Sequence, residues 1–341
     1  MITAHKDKNG GSVDWWFVYK LPKSAGNISN SHPTADGFQY LYFDSEDEQL
    51  ILSSLLLSSD DSAVQRTLAQ IDNDNPADTV GWYLYNDEIP DEVIGDRHND
   101  EHKGHTKGVV IFDTATDTAL WLLHSTPRWS IPGSTAFPDD ERIYGQTFLC
   151  ISLKNIATAE SIAAQMLQQQ QPQIYSSRLP DSLQQESAIR TLVNTSEMPK
   201  NTQPSTIHFS SRAGQDFQCF AKNRAWGEDF WIDLVAHELK TTVDVESWRR
   251  GSIPATTDPD DDGHADDVQF VNLKKLGIDS EWKYTHDHSK WAIAESKPVV
   301  LVADINRQTS QEKRGGGAIG FTNEKLWAAL KKIELFTHTT S

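Results

Sequence analysis

Cysteine is nearly missing from this chain: Cys150 and Cys219 are the only two in 341 residues. So few thiols exclude a disulfide-stapled scaffold. Both sit in apolar, strand-like runs, Phe148-Leu149-Cys150-Ile151 and Phe217-Gln218-Cys219-Phe220, a setting that predicts two buried free thiols. Long apolar runs are missing as well. The longest candidate, Leu50-Ile51-Leu52-Ser53-Ser54-Leu55-Leu56-Leu57, is interrupted and far short of the roughly 18 residues that span a bilayer, so no membrane segment is expected. The stretch Met1–Gly10 is polar, with no hydrophobic signal core, and no export signal is legible there. Location therefore stays open between the cytoplasm and export by a route the sequence does not display. Positive charge is the third shortage: Lys and Arg total 31 against 49 Asp and Glu, a net charge of −18 with His neutral. At pH 7 the average surface should repel a polyanion.

What is present is histidine, 12 residues of it, and two short segments that place histidine beside lysine. One is His105-Thr106-Lys107 in GHTKGVVIFD; the other is His288-Ser289-Lys290 in HDHSKWAIAE. In an extended strand residues i and i+2 share a face, so each triplet sets an imidazole next to an ammonium. Roughly one such triplet is expected by chance in a chain of this composition, and the surroundings carry more weight than the triplets themselves. The first is followed by Val109–Phe112, a turn-like Asp113–Asp117, and Leu120–Leu123 ending at His124-Ser125. The second is followed by Trp291–Ala294, a polar Glu295–Pro298 turn, and Val299–Val302 running to Asp304, Asn306 and Arg307. Both predict a strand, a turn and a returning strand, with a polar residue across the hairpin from the His-x-Lys start. Two such pairs brought together would make a cationic pocket with two imidazoles, a site suited to a phosphodiester.

Further along, 207–248 reads as strand, strand, helix, strand, with the helix over Glu228–Lys240 carrying Phe230, Trp231, Leu234 and Val235 on one stripe. The first half has counterparts in the strand Trp15–Lys20, a helix over Ser62–Ile71 and the strand Gly81–Tyr85. This is the pattern of a diverged internal duplication. A boundary is expected after the helix over Thr158–Gln171, where Ser176–Ser205 is polar, contains Pro180, Pro199 and Pro204, and shows little apolar periodicity. The division expected is a lobe over 1–175, a connector over 176–206 and a second lobe over 207–341. The lobes should share a large apolar interface, because a split site tolerates little relative motion.

Six segments in order, Val13–Pro22, Tyr85-Asn86-Asp87, Gly104–Gly108, Tyr144-Gly145-Gln146-Thr147, Asp287–Trp291 and Arg314-Gly315-Gly316-Gly317, resemble the deoxyribonuclease II family of acid, metal-independent nucleases. The resemblance implies an α/β, phospholipase D-like fold in which two similar lobes of one chain, mixed β-sheets flanked by helices, each give one His-x-Lys to a central site. It implies DNA as substrate, no cofactor, no metal and no membrane partner; a homodimer is left open. The animal members are disulfide-rich, and a chain with two cysteines departs from them.

His105, Lys107, His288 and Lys290 are the expected catalytic set. One imidazole attacks phosphorus to form a phosphohistidine, while the other protonates the departing 5′-oxygen and then activates water, leaving a 3′-phosphate. By analogy with the superfamily His105 is the nucleophile and His288 the acid, although the symmetry of the two triplets does not settle which is which. The lysines and Asn306 would hold the non-bridging oxygens. His124 would orient the site or touch phosphate, and Asp304 an imidazole or Arg307. Arg314 and its glycines would meet phosphate. The acidic runs Asp44–Glu48, Asp72–Asp78, Asp87–Asp100 and Asp258–Asp267 are expected to lie away from the motifs. Acid pH would protonate imidazoles and favour DNA binding.

Two motifs are set aside. Asp258-x-Asp260-x-Asp262-Gly263 begins like a calcium loop but has Gln269 where the last ligand belongs, and His237-Glu238 begins like a zinc-protease helix without its second histidine. Two other functions stay open at this level: a phospholipase D-like enzyme acting on another phosphodiester, and a non-catalytic calcium-stabilised binding protein.

Overall fold

The computed structural model describes residues 1–336 apart from 8, 24–35, 72–76, 96–98, 131–133, 135, 198 and 256–263. The calcium-like residues Asp258, Asp260, Asp262 and Gly263 lie outside the described residues.

Runs of β-branched and aromatic residues build two large sheets. An eight-stranded antiparallel sheet takes the order Ile174–Arg178, Val80–Asn86, Lys107–Asp113, Thr118–His124, Gln146–Leu153, Trp15–Lys20, Tyr40–Asp44, Ile51–Leu52. A seven-stranded sheet takes the order Ser205–Ser210, Asp216–Lys222, Gly316–Thr322, Val299–Ala303, Lys290–Ala294, Val243–Ser247, Ala265–Asp267. It is antiparallel except for its last pair, where Val243–Ser247 and Ala265–Asp267 run parallel. Both predicted hairpins form, with Gly108 opposite Leu123 and Trp291 opposite Val302.

The two sheets face each other across a common core. Trp15, Phe17 and Tyr19 alternate with Trp16 and Val18; the first set points into the core shared with the other sheet, the second into an outer core. Trp15 packs on Phe321 and Phe217 with ring centroids 4.9 and 6.5 Å away, and Tyr19 lies 6.5 Å from Trp291. Because each sheet is also covered on its far side, strands such as Lys107–Asp113 are buried throughout. Cys150 and Cys219 are buried free thiols, as expected.

Helices line the shared core and cover the outer faces of the sheets. Ile156–Gln165 starts at Asn155, whose side chain accepts from the Thr158 N–H at 3.0 Å, and continues as one wider turn over Met166–Gln170. The predicted helix over 228–240 is a wide-turn segment, Phe230–Ala236, that closes into a single α turn, His237–Leu239. Two features escaped the sequence reading. The stretch 176–206 contains the helix Ala188–Asn194, which puts Ile189 and Leu192 into the shared core. The helix Glu324–Ile333 buries Leu326, Leu330 and Ile333. Flanking prolines and polar residues hid the first, and the second is a single ten-residue stretch near the end of the chain.

One run of five strands occurs in both sheets in the same chain order. In the first sheet it is Val80–Asn86, Lys107–Asp113, Thr118–His124, Gln146–Leu153, Trp15–Lys20; in the second it is Val243–Ser247, Lys290–Ala294, Val299–Ala303, Gly316–Thr322, Asp216–Lys222. Each His-x-Lys enters its sheet at the lysine, so the histidine stands just outside the strand, where its backbone is free to bond elsewhere.

Candidate active site

Each histidine is tied by its main chain to the opposite sheet. The His288 N–H donates to Gly145 O at 2.8 Å, and the Gly145 N–H donates to His286 O at 2.9 Å; Gly145 leads into a strand of the eight-stranded sheet. In the crossed sense, the His105 N–H donates to Gly315 O at 2.8 Å, and Gly315 leads into a strand of the seven-stranded sheet. Glycine is required at these crossings by close approach. A Cβ on Gly145 would lie 2.4 Å from Asp287 Oδ1, and one on Gly315 would lie 2.5 Å from Gln170 O.

The imidazoles are anchored through Nδ1. His105 donates from Nδ1 to Asp304 O at 2.6 Å, and since a carbonyl only accepts, the proton is on Nδ1 and the lone pair on Nε2. His288 Nδ1 lies 3.0 Å from Glu141 Oε2, and its Nε2 has no hydrogen-bond partner among the described residues. The His288 ring is stacked on Tyr144 at 3.8 Å, with 8° between planes, and meets Trp248 edge-on at 4.9 Å. Lys107 and Lys290 are buried. Lys107 makes a close ion pair with Asp87, which Arg314 also meets at 3.3 Å and His105 Nε2 approaches at 3.7 Å. Lys290 donates to His288 O at 2.8 Å.

These charges act on one another across the sheets. Burial pushes His105 well below the usual imidazole range; Asp87 opposes this, while Lys107, Lys290 and Arg314 reinforce it. Burial also lowers His288, with Glu141 pulling the other way. Burial brings the Lys290 ammonium down to about 7, helped by Lys107. Burial works to raise the Asp87 carboxyl, but His105, Lys107 and Arg314 together outweigh it and hold the group well below the carboxylate range. Burial raises Asp304 to about 7.

Residues 5–339 match the deoxyribonuclease II family. The chain belongs to that family. It is 42% identical over 335 residues to a putative deoxyribonuclease-2 of Burkholderia pseudomallei, covering 98% of this chain and 93% of the relative. It is 35% identical to a deoxyribonuclease-2 of Caenorhabditis elegans (96% and 92% covered) and 30% identical to the deoxyribonuclease-2-alpha of Sus scrofa (97% and 89%). The resemblance read from six short segments therefore holds along the chain, and as a deoxyribonuclease II the protein is an enzyme rather than a passive binding protein.

The remaining candidates in this deoxyribonuclease II fall into two groups. Arg314 reaches the pocket, donating from Nε to Lys103 O at 2.9 Å and pairing with Asp87. His124 is wholly buried between Trp129 and Phe148; its Nδ1 accepts from the Thr126 N–H at 3.2 Å, and its Nε2 has no partner among the described residues. The lysine charges of the pocket act on it. Asn306 is buried with Oδ1 unpartnered among the described residues. Asp304 orients His105, though through its carbonyl; its carboxylate accepts from the Gly317 N–H at 2.7 Å. Arg307 is elsewhere, paired with Asp267 at 2.8 Å. Gly316 and Gly317 belong to a strand, so this segment forms neither a phosphate nest nor a loose turn.

Four neighbours of the histidines were not read as site residues: Asp87, Glu141, Tyr144 and Trp248. Asp87 belongs to an acidic run expected to lie away from the motifs; it lies on Lys107 instead, because the strand Val80–Asn86 pairs directly with the His-x-Lys strand. Glu141 looks in sequence like part of the acidic run Asp139-Asp140-Glu141, and only its burial at 4% exposure sets it apart. The available signals were Asp87 and Tyr144, each inside a family-like segment, Tyr85-Asn86-Asp87 and Tyr144–Thr147.

Behind the pocket Glu246 is fully buried, and neither of its carboxyl oxygens has a partner among the described residues. Burial, then Asp287, raises its pKa well above the carboxylate range. The folded chain therefore keeps a proton that the unfolded chain releases above about pH 4.3, and this group's contribution to stability falls as pH rises past that point. Glu246→Gln removes the titration. Its Tm should exceed that of the wild type by about 3 °C at pH 7 and match it at pH 4, as melting curves at the two values would show.

Proposed function

We propose that this enzyme hydrolyses DNA without a metal ion, through a phosphohistidine on His105, leaving a 3′-phosphate and a 5′-hydroxyl. The observation that carries the reading is the crossed anchoring: both imidazoles are held by Nδ1, leaving both Nε2 atoms for chemistry in a pocket containing two lysines and an arginine. The His105 Nε2 lone pair attacks phosphorus, and the P–O5′ bond breaks with its electron pair going to O5′, which takes the proton from His288 Nε2. A water then gives a proton to His288 and attacks phosphorus, and the P–N bond breaks with its pair returning to His105.

The environments favour this division of labour. His105, well below its ordinary pKa, is neutral as a nucleophile must be; His288 has the carboxylate that stabilises an imidazolium. Lys107, Lys290 and Arg314 supply the charge that stabilises the transition state, with Asn306 and His124 as neutral groups at the phosphate. Entry of a phosphate gives Lys107 and Arg314 a second anion to bind beside Asp87, a local attraction that offsets a net charge of −18.

In the same reading the repeated five-strand run makes the chain a phospholipase D-like pair of lobes, 1–175 and 207–341, joined through 176–206. Each lobe contributes one His-x-Lys.

Cleavage of plasmid DNA in excess EDTA, followed by end-group analysis and alkaline-quench trapping of the phosphoenzyme, tests the reading. Expected are 3′-phosphate ends and an acid-labile phosphoprotein. Metal-dependent cleavage, or turnover of phospholipid vesicles with DNA left intact, would overturn it.

Activity should fall as pH rises through the His288 pKa, which lies below about 6.5, so the optimum is acid. Glu141 raises that pKa; Glu141→Gln therefore lowers it. The basic limb of the pH–rate profile should move down by about one unit, with a loss of about tenfold at pH 6.

A further inference from the structure

We infer that Lys20 and Lys222, buried lysines that touch neither histidine, are positioning residues for the two imidazoles, Lys20 holding His288 and Lys222 holding His105; the inference rests on the two-histidine mechanism above. The two lysines end equivalent strands of the repeated run, Trp15–Lys20 and Asp216–Lys222, and both are 0% exposed. Neither makes an ion pair among the described residues; each instead spends its ammonium on main-chain carbonyls. Lys20 Nζ donates to Tyr144 O at 2.5 Å, Arg142 O at 3.2 Å and Leu21 O at 3.3 Å. Lys222 Nζ donates to Glu312 O at 2.8 Å and to Gln311 O and Arg314 O at 2.9 Å.

Apart from Leu21 O, next to Lys20 in the chain, the carbonyls thus held belong to two short helical turns, Asp139–Ile143 and Thr309–Lys313, and to the residue after each. Such turns end in carbonyls with no partner of their own, and an ammonium offers three donors to collect them. The next residue is in each case the crossing glycine. Gly145 O receives the N–H of His288, and Gly315 O that of His105. The first turn also carries Glu141 and Tyr144, both in contact with the His288 ring, and the second delivers Arg314 to Asp87. Lysine, turn, glycine and histidine form a continuous chain of contacts, made twice. Burying an ammonium without a carboxylate is costly, and burial brings Lys20 down to about 7 and Lys222 to about 8. At the acid pH of the reaction both keep all three protons.

A good leaving group separates the two roles. With thymidine 3′-(4-nitrophenyl phosphate) the departing nitrophenolate needs no proton, so the first step depends on the nucleophile alone and the second on His288 as base. Stopped-flow at pH 5 should show Lys20→Met releasing its first equivalent of nitrophenolate within about fivefold of the wild-type rate and then turning over about a hundredfold more slowly. Lys222→Met should lose the burst itself by about a hundredfold. His288→Ala and His105→Ala are the references for the two patterns. If these references fail to separate, the mechanism is wrong. If they separate while folded Lys20→Met and Lys222→Met match the wild type, or lose both phases equally, the positioning role is wrong. Should either Met variant melt below the assay temperature, Lys20→Gln and Lys222→Gln, which keep an N–H donor, should show the same split at reduced depth, and its absence would equally overturn the role.

Discussion

Plasmid cleavage at pH 5 in excess EDTA should fall at least about a thousandfold in His105→Ala and again in His288→Ala, while the wild type should keep its full rate. Loss of His105 removes the atom that takes the phosphoryl group; loss of His288 leaves O5′ to depart as an alkoxide. The two act in one sequence of bond changes, so the double variant should be no slower than the worse single one. The variants should also differ in what they accumulate. His288→Ala retains the nucleophile and traps a small fraction of phosphoenzyme in alkaline quench; His105→Ala traps none. Undiminished nicking by either folded variant, or activity restored only by added divalent ions, would rule the pathway out.

The second large effect is on the lysines. Lys290→Met and Lys107→Met should each lower kcat by about a hundred- to a thousandfold, the scale seen when one donor to a developing negative charge is removed from a dry site. Their other consequences diverge, because their surroundings do. Lys107 neutralises Asp87, which is 7% exposed, and its removal leaves a buried carboxylate with Arg314 as its remaining close cation; the folded state should lose about 3 kcal/mol. Among the described residues the Lys290 ammonium bonds only the His288 carbonyl, and burial has already brought its pKa to about 7. A lysine with a lowered pKa costs the folded state at every pH below its unfolded value near 10.4, and costs it most below about 7, so Lys290→Met should gain stability over the wild type at both pH 8 and pH 5, with the larger gain at pH 5. Chemical denaturation at the two pH values, beside kcat on a labelled oligonucleotide, checks both halves. Equal stability losses in the two variants would contradict the asymmetry around Asp87.

Much of the frame was legible without coordinates. The strands Trp15–Lys20, Lys107–Asp113 and Lys290–Ala294 announce themselves because a buried strand is a short apolar run, and both hairpins close over short polar turns. His105, Lys107, His288 and Lys290 stand out because two residues two positions apart carry a recognisable chemistry. The groups around them carry no such mark. Asp87 and Glu141 look like any solvated acid, Tyr144 and Trp248 like core aromatics, and Lys20 and Lys222 like the polar ends of strands.

Local order along the chain thus determined the strands, the hairpins and the two His-x-Lys triplets proposed to react, since these depend on neighbours within a few residues. Only the tertiary structure decided which groups meet. Gly145 binds the backbone of His288, and Gly315 that of His105, 210 positions away in the numbering (315 − 105), because two sheets pack face to face and bring the ends of their strands together. The same packing places Glu141 on one imidazole and a carbonyl on the other. That difference, invisible in two nearly identical triplets, gives the two histidines unlike environments, and unlike environments suit one to be neutral and the other charged.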